Sequence, residues 1–300
     1  MIFHSSNTSP YYNLALEEFL LRHTHEDHFL IWESSPAIIY GKFQNPWREI
    51  HVDYALKQKH LLVRRITGGG CVYEGPGNIN YSFIGSGDFE DRGKNLLKIK
   101  KAFEKLGIAL EINDRFDLIL KYKQNAFKVS GNAFKNTRGR WIHHGSLLLK
   151  ADINGIWDYL TRDTGNIRSK SIESTRSPVT NILDIYSGVT QAEVTSTLIK
   201  EMHSIGQYGS VVSEINDENI TRYEQDLRCD DWIYGQTPKF SIEGNLPVKL
   251  GGHPVFLHME KGRFQSIEVI GNKEIQSRLE NTFLGKYYTQ QWEAELDKIP

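Results

Sequence analysis

Three consecutive glycines, Gly68–Gly70, constrain this chain most, because a glycine run weakens any helix or strand and leaves the backbone uncovered. The apolar run Leu61–Val63 precedes them and predicts a short buried strand. Arg64, Arg65 and Thr67 lie between the two and supply positive charge and a hydroxyl. Such a loop suits a phosphate or a phosphate ester. The same residues also fit a tight hairpin turn with two solvated arginines.

Two familiar nucleotide loops are excluded by the residues that follow the glycines. A Walker loop requires Gly-Lys-Ser or Gly-Lys-Thr, which is absent here. A dinucleotide fingerprint has spaced glycines that open a helix, whereas these glycines are contiguous and Cys71–Tyr73 predicts a strand.

Composition excludes several other classes of protein. The 300 residues carry a net charge of −1, and a general nucleic-acid or membrane-surface binder would carry a basic excess. The two cysteines, Cys71 and Cys229, provide neither a disulfide framework nor a cysteine-based metal site. We therefore expect a reducing compartment, the cytoplasm, and the N-terminal residues show no secretion or transit signal. No apolar run is long enough to span a bilayer.

The second informative stretch is Ala126–Phe134, where Lys128 lies on an apolar strand before a predicted Ser130-Gly131 turn. A lysine that enters a pocket is costly to bury unless an anion meets it. The alternative is an edge-strand lysine that points at water.

A histidine pair, His143 and His144, lies in a predicted buried strand. Adjacent strand residues point to opposite faces, so the pair does not suit one metal ion. We expect one structural histidine that lines the pocket.

The remaining pattern alternates strands with amphipathic helices. The first helix is predicted with Glu17 and Glu18 exposed, and Thr190 with Glu193 predicts a capping box on a later helix. The segment 230–240 is irregular and predicts a linker. We therefore expect a catalytic domain over residues 1–239 and a small α/β accessory domain over 240–300.

Several motifs in one order resemble the lipoate–protein ligase A family, within the lipoate/biotin protein ligase superfamily. The resemblance covers most of the chain, and its motifs are Asn13–Glu18, Gly41–Trp47, Arg64–Tyr73, Gly77–Phe83, Lys128–Ala133, His143–Leu148 and Ser177–Asn181. It implies an α+β fold with a mixed or antiparallel sheet and packed helices.

The resemblance also implies a reaction in two steps. Lipoate and ATP, with Mg²⁺, would give lipoyl-AMP and pyrophosphate. The lipoyl group would then pass to a lysine of a lipoyl domain, in the E2 subunits of 2-oxoacid dehydrogenases, in the glycine cleavage H protein, or in both. No nucleic-acid or membrane partner is expected.

The site residues follow from the same resemblance. Lys128 is the expected catalytic residue, Asp117 is a candidate metal ligand, and Val72 and Leu147 are candidates to hold the alkyl tail. The expected lipoate- and ATP-binding residues are Arg65, Thr67, Gly68, Gly69, Gly70, Cys71, Val72, Tyr73, Asn78, Lys128, Ser130, Gly131, Ala133, His144 and Gly145.

Two departures from the family pattern leave an alternative open. Glu74-Gly75 stands where the family usually has His-Asp, and Phe116 stands where the ligases typically have Asn. The alternative is a lipoyl- or octanoyltransferase that takes a preformed acyl donor without ATP, and a third is a binding protein without catalysis. Neither cysteine lies in a convincing nucleophile context.

Overall fold

The computed structural model describes residues 1–87, 92–160, 166–171, 177–212 and 215–288, together with residues 292 and 295. Its strands are β1 (Ile2–His4), β2 (His28–Trp32), β3 (Ala37–Tyr40), β4 (Leu61–Arg64), β5 (Cys71–Glu74), β6 (Asn78–Ser86), β7 (Glu111–Ile112), β8 (Leu118–Tyr122), β9 (Asn125–Thr137), β10 (Arg140–Leu148), β11 (Ile167–Ser169), β12 (Val211–Val212), β13 (Phe240–Asn245), β14 (Pro254–Glu260) and β15 (Arg263–Val269).

The helices cover the faces of these strands. They are α1 (Pro10–His23), α2 (Pro46–Glu49), α3 (Val52–Lys57), α4 (Arg92–Glu104), α5 (Ile153–Tyr159), α6 (Ile182–Ile185), α7 (Gln191–Ser204), α8 (Glu218–Arg228), α9 (Asp230–Ile233) and α10 (Lys273–Phe283), with a 3₁₀ turn at Val248–Leu250. None of the helices within these described ranges is both long and apolar enough to cross a membrane.

The largest sheet is mixed, as the sequence predicts. Its strand order is β12-β1-β2-β6-β10-β9-β8-β7, with parallel pairing from β12 to β2 and antiparallel pairing from β2 onward. The expected α+β class is confirmed. Helices α4 and α7 contribute Phe103, Val194 and Leu198 to the core against this sheet, and α1 contributes to a second core cluster.

The central ladder of β6, β10 and β9 forms the floor of the site. His144 on β10 pairs with Ser82 on β6 and Ala133 on β9, and Ser146 pairs with Asn80 and Gly131. Because side chains alternate along a strand, the residues of these two rows face the same side of the sheet.

Strand β9 differs from the sequence prediction at Ser130 and Gly131. It runs unbroken through Ser130 and Gly131, so the predicted Ser-Gly turn is wrong. Ser130 pairs with Leu118 on β8 and with Leu147 on β10, and Gly131 pairs with Ser146 on β10, while the β8 pairing shifts register between Leu118 and Ile119.

A small sheet, ordered β4-β3-β5, carries the glycine loop between β4 and β5. The neighbouring loop packs directly on it, because the Gly41 amide donates to the Gly70 carbonyl at 3.1 Å and the Lys42 amide donates to the Thr67 carbonyl at 2.8 Å. A Cβ at Gly41 would lie 2.2 Å from the Gly69 carbonyl oxygen, so only glycine fits there.

The third sheet is ordered β11-β13-β14-β15, and its first strand comes from the chain before residue 239. Its apolar face shares a core with Tyr40, Trp47 and Ile50. The segment 230–240 begins with helix α9, so the prediction that it is an irregular linker is partly wrong. The division at residue 239 remains a prediction, and part of the 240–300 segment lies outside the described residues.

Candidate active site

A cavity of about 320 Å³ lies between the β6-β10-β9 floor and the glycine loop. Its volume falls at the lower end of the range for small-molecule sites. Val72, Ile39, Trp32 and Leu14 provide apolar walls, and several charged side chains interrupt them. The cavity therefore offers room for an apolar chain together with a few fixed polar contacts.

Arg65 holds the glycine loop in shape from inside the cavity. Its guanidinium donates to the Thr67 hydroxyl at 3.0 Å, to the Ile39 carbonyl at 3.2 Å and to the Gly68 carbonyl at 2.7 Å. Burial lowers the pKa of Arg65 to about 10, so the side chain still carries its charge at neutral pH. It lines the cavity beside Gly69 and is thus a fixed cation for an anionic ligand.

Arg64 has a different role from the one expected. Its guanidinium is fully buried and donates to the carbonyls of Gly41, Lys42, Gln44 and Ile233 and to the Thr237 hydroxyl. Because it is absent from the residues that line the cavity, the expectation that it supplies charge to a ligand is wrong. It ties the loop after β3 to the segment after α9.

A chain of hydrogen bonds crosses one end of the cavity. The Ser82 hydroxyl donates to one Glu17 carboxylate oxygen at 2.5 Å, and the other oxygen lies 2.8 Å from His144 Nδ1. Because the carboxylate accepts there, Nδ1 carries the proton, and in the neutral ring Nε2 accepts from the Thr67 hydroxyl at 2.8 Å. The chain fixes the His144 ring, which lines the cavity as expected of one histidine of the pair.

The expectation that Glu17 and Glu18 are exposed is wrong, since both are buried. Glu17 has lost nearly all solvent contact because His144 and Ser82 supply its hydrogen bonds from the sheet. The position of Glu17 in a predicted helix does not indicate that His144 and Ser82 are its partners.

Lys128 on β9 also lines the cavity. The amine lies 2.7 Å from an Asp117 oxygen, and its side chain is 25% exposed. Its backbone amide donates to the Pro178 carbonyl at 2.8 Å. The structure thus places Lys128 in the cavity and not on a solvated edge strand, with Arg115 beside it in the wall.

Glu74, the residue that departs from the family pattern, is a buried carboxyl that lines the cavity. It accepts a hydrogen bond from Asn78 Nδ2 at 2.9 Å. Burial raises the pKa of Glu74 to about 7, although hydrogen bonds from Asn78, Ser146 and Asn80 and the charge of Arg65 oppose the rise.

Many of the expected binding residues meet in this cavity. Those that line it are Arg65, Gly69, Gly70, Cys71, Val72, Lys128, Gly131, Ala133, His144 and Gly145. Burial raises the pKa of the Cys71 thiol, which therefore stays protonated and acts as a small apolar wall and not as a nucleophile.

The other expected residues do not line the cavity. Tyr73 stacks on Tyr159 with ring centroids 5.8 Å apart, Gly68 accepts from Arg65, and Ser130 lies 3.1 Å from the Tyr81 hydroxyl. Thr67 and Asn78 bond to lining residues and do not line the cavity themselves. The expectation for Leu147 is wrong, because its side chain lies in the core on the other face of the sheet.

Sequence reasoning missed part of the lining. The missed residues come from α1, six strands and the turn before β8, and they are Leu14, Glu17, Trp32, Ile39, Glu74, Asn80, Tyr81, Arg115, Asn132 and Ser146. Alternation along β6 and β10 could have indicated Asn80 and Ser146 once the strands were paired.

The residues around Asp117 do not fit a metal held by the protein. One carboxylate oxygen lies against Lys128, and the other lies 3.3 Å from Asn113 Nδ2 and 3.6 Å from an Arg115 nitrogen. In addition, no group of three or more potential His, Cys, Asp or Glu ligands is present in the part of the chain that the structure describes.

Fold and site together define an α+β ligand-binding domain whose glycine loop and lysine face one cavity. Residues 9–203 match the family model described as the lipoyl protein ligase A/B catalytic domain, and the chain belongs to this family. It is 32% identical over 282 residues to "Lipoate-protein ligase A" of Psychrobacter cryohalolentis, covering 90% of this chain and 81% of that protein. It is 31% identical over 294 residues to "Lipoate-protein ligase LplJ" of Bacillus subtilis, covering 93% and 87%.

Solved structures agree on the fold. A crystal structure of P. falciparum LipL1 in complex with lipoate has a TM-score of 0.68 at 23% identity, over 99% of this chain and 93% of that one. A crystal structure of lipoate-protein ligase A bound with ATP has a TM-score of 0.57 at 22% identity, over 76% and 91%. The expected family fold is therefore confirmed.

Proposed function

We propose that this chain is an ATP-dependent lipoate–protein ligase, which forms lipoyl-AMP and transfers the lipoyl group to a lysine of a lipoyl domain. The observation that carries the proposal is one cavity that combines Lys128, Arg65 and bare glycine backbone with apolar walls. Family membership and the names of the relatives support it.

The first step joins two anions. A carboxylate oxygen of lipoate attacks the α-phosphate of ATP, a new O–P bond forms, and the bond to pyrophosphate breaks. Lys128 and Arg65 offer positive charge to both partners, and Arg115 adds a third cation to the wall. Val72, Trp32 and Ile39 can hold the alkyl chain away from water.

The second step transfers the acyl group. The amine of the acceptor lysine attacks the acyl carbon, AMP leaves, and the amine loses a proton. Negative charge builds on the acyl oxygen during this attack, so an ammonium fixed beside it lowers the barrier. Lys128 is the residue we assign to this role.

Mg²⁺ accompanies ATP as part of the co-substrate, since this ion is commonly held by substrate phosphates together with few protein ligands. The acceptors are lipoyl domains of 2-oxoacid dehydrogenase E2 subunits, the glycine cleavage H protein, or both. The low cysteine content, two in 300 residues, supports a cytoplasmic location.

The test is lipoate-dependent exchange of labelled pyrophosphate into ATP. Wild type should catalyse exchange, and Lys128→Ala should lose about 100-fold or more of the rate, because a fixed cation is removed from the reacting anions. Lys121→Ala is the matched control, since Lys121 lies on neighbouring β8 in an exposed ion pair with Glu111. Transfer from synthetic lipoyl-AMP without any exchange would instead show the transferase alternative.

A further inference from the structure

The ion pair between Asp117 and Lys128 has no assigned function in the formation of lipoyl-AMP or in lipoyl transfer. Asp117 is buried, and its carboxylate directs the Lys128 ammonium along the cavity wall. Lys128 lies over Gly131, where a Cβ would be 3.4 Å from its Cε and 3.5 Å from its Nζ. The lysine therefore lies across a strand position that has no side chain of its own.

The turn that carries Asp117 is held independently of Lys128. Asn113 Oδ1 accepts from the amide of Arg115 at 3.0 Å and from the amide of Asp117 at 2.9 Å. The Phe116 amide donates to the Asn113 carbonyl at 2.9 Å, and Phe116 has a left-handed φ of 63°. These bonds fix the backbone at Asp117, and Asn113 Nδ2 also donates to its carboxylate at 3.3 Å.

The sheet anchors the same turn a second time. Asn132 on β9 donates to the Phe116 carbonyl at 2.6 Å, and Asn132 itself accepts from the Tyr81 hydroxyl. Asn132 and Tyr81 both line the cavity. The backbone next to Asp117 is thus hydrogen-bonded to the sheet that forms the cavity floor. A lysine side chain alone, in contrast, is flexible and can adopt many rotamers.

We propose that Asp117 is a positioning residue, which holds the Lys128 ammonium toward the reacting carboxyl and phosphoryl groups. The assignment rests on the proposed ligase function and replaces the expected metal-ligand role of Asp117. The carboxylate also competes with the anionic substrate for the same ammonium. Its presence therefore weakens substrate binding somewhat and accelerates the chemical steps.

Asp117→Asn separates these two effects. The variant should bind lipoate about threefold to tenfold more tightly, because a negative charge beside the ammonium is removed. It should also transfer the lipoyl group about 10- to 100-fold more slowly at saturation, because the ammonium loses its fixed direction. A merely structural defect would weaken binding and slow transfer together.

The experiment measures lipoate binding by calorimetry, and lipoyl transfer from synthetic lipoyl-AMP to an acceptor lipoyl domain without divalent metal. It compares wild type, Asp117→Asn and Asp114→Asn. Asp114 is the matched control, because it is an exposed carboxylate in the same turn, and its variant should behave as wild type.

Each outcome decides the assignment. Tighter binding with slower metal-free transfer supports it. Unchanged metal-free transfer together with a raised Mg²⁺ requirement in pyrophosphate exchange would identify a metal ligand and overturn it, as would weaker binding together with slower transfer. If wild type transfers normally and Asp117→Asn equals it, only this assignment fails. If wild type cannot transfer at all, the ligase function fails and this assignment fails with it.

Discussion

Glu74 shows how one buried side chain couples the pocket to pH. Its carboxyl has a pKa of about 7 in the folded chain, against an ordinary value of 4.5. The folded state therefore keeps a proton that the unfolded state loses. The stability this provides is complete below pH 4.5 and is lost as the pH rises through about 7.

Glu74→Gln should remove this dependence, because the amide does not titrate. Between pH 4.5 and pH 8 the free energy of unfolding of the variant should rise relative to wild type by up to about 3 kcal/mol. Urea unfolding across this pH range measures the difference. Glu104→Gln, at an exposed helical position, is the control and should follow wild type. Parallel curves for wild type and Glu74→Gln would contradict the prediction.

Arg64 joins two segments of the chain through hydrogen bonds to four carbonyls and one hydroxyl. Lysine cannot reproduce five donors in a planar fork, so Arg64→Lys should leave buried carbonyls unpaired. We expect a loss of about 2–4 kcal/mol in the free energy of unfolding. Chemical denaturation tests this, with Arg138→Lys at an exposed hairpin tip as the neutral control. Equal stability of the two variants would count against a structural role.

Arg64 and Arg65 also show how far the roles of single residues can be predicted from the sequence. The motif placed a cation at the glycine loop, but alternation decides which arginine faces the cavity, and Arg65 lies just beyond the end of β4. Glu17 was missed for a related reason. Its burial depends on His144 and Ser82, which reach it only after the chain has folded.

Among the elements, helix α7 has a capping box that the sequence predicted and the structure confirms. The Thr190 hydroxyl accepts from the Glu193 amide at 3.2 Å, and the Glu193 carboxylate accepts from the Thr190 amide at 2.8 Å. Thr190→Ala should therefore cost about 1 kcal/mol of stability. Thr195→Ala in the middle of the same helix should be neutral or slightly stabilising. Thermal unfolding of the two variants compares them, and equal midpoints would contradict the cap's contribution.

Local patterns predicted elements well where neighbours in sequence supply the contacts. The capped helices α1 and α7 are of this kind, whereas the strand at Cys71–Glu74, also predicted, pairs with the distant strand β3. The continuity of β9 through Ser130-Gly131 comes instead from pairing with β10 and, at Ser130, also with β8. The local sequence predicts a turn at Gly131, but pairing within the sheet keeps this residue extended.

The whole molecule joins its two predicted parts through one core. The Trp47 ring packs against Tyr234, Phe240 and Tyr288 with centroid distances of 5.6, 5.4 and 5.5 Å. Strand β11 from the first part pairs with β13 of the second. The irregular segment 230–240 predicted a boundary, but sequence alone did not show that apolar residues on both sides of it share a core.

A chain ending at residue 239 should therefore be strongly destabilised and not fold as an independent domain. Truncation removes Phe240 and Tyr288 from Trp47 and takes the pairing partner from β11, and losing such packing around one large aromatic costs about 3–5 kcal/mol. Urea unfolding and lipoate binding of residues 1–239 measure this against the full chain. Co-expression with residues 240–300 should restore binding in part, because the shared surface can re-form. A truncated chain as stable as the full one would show instead that the boundary separates two independent domains.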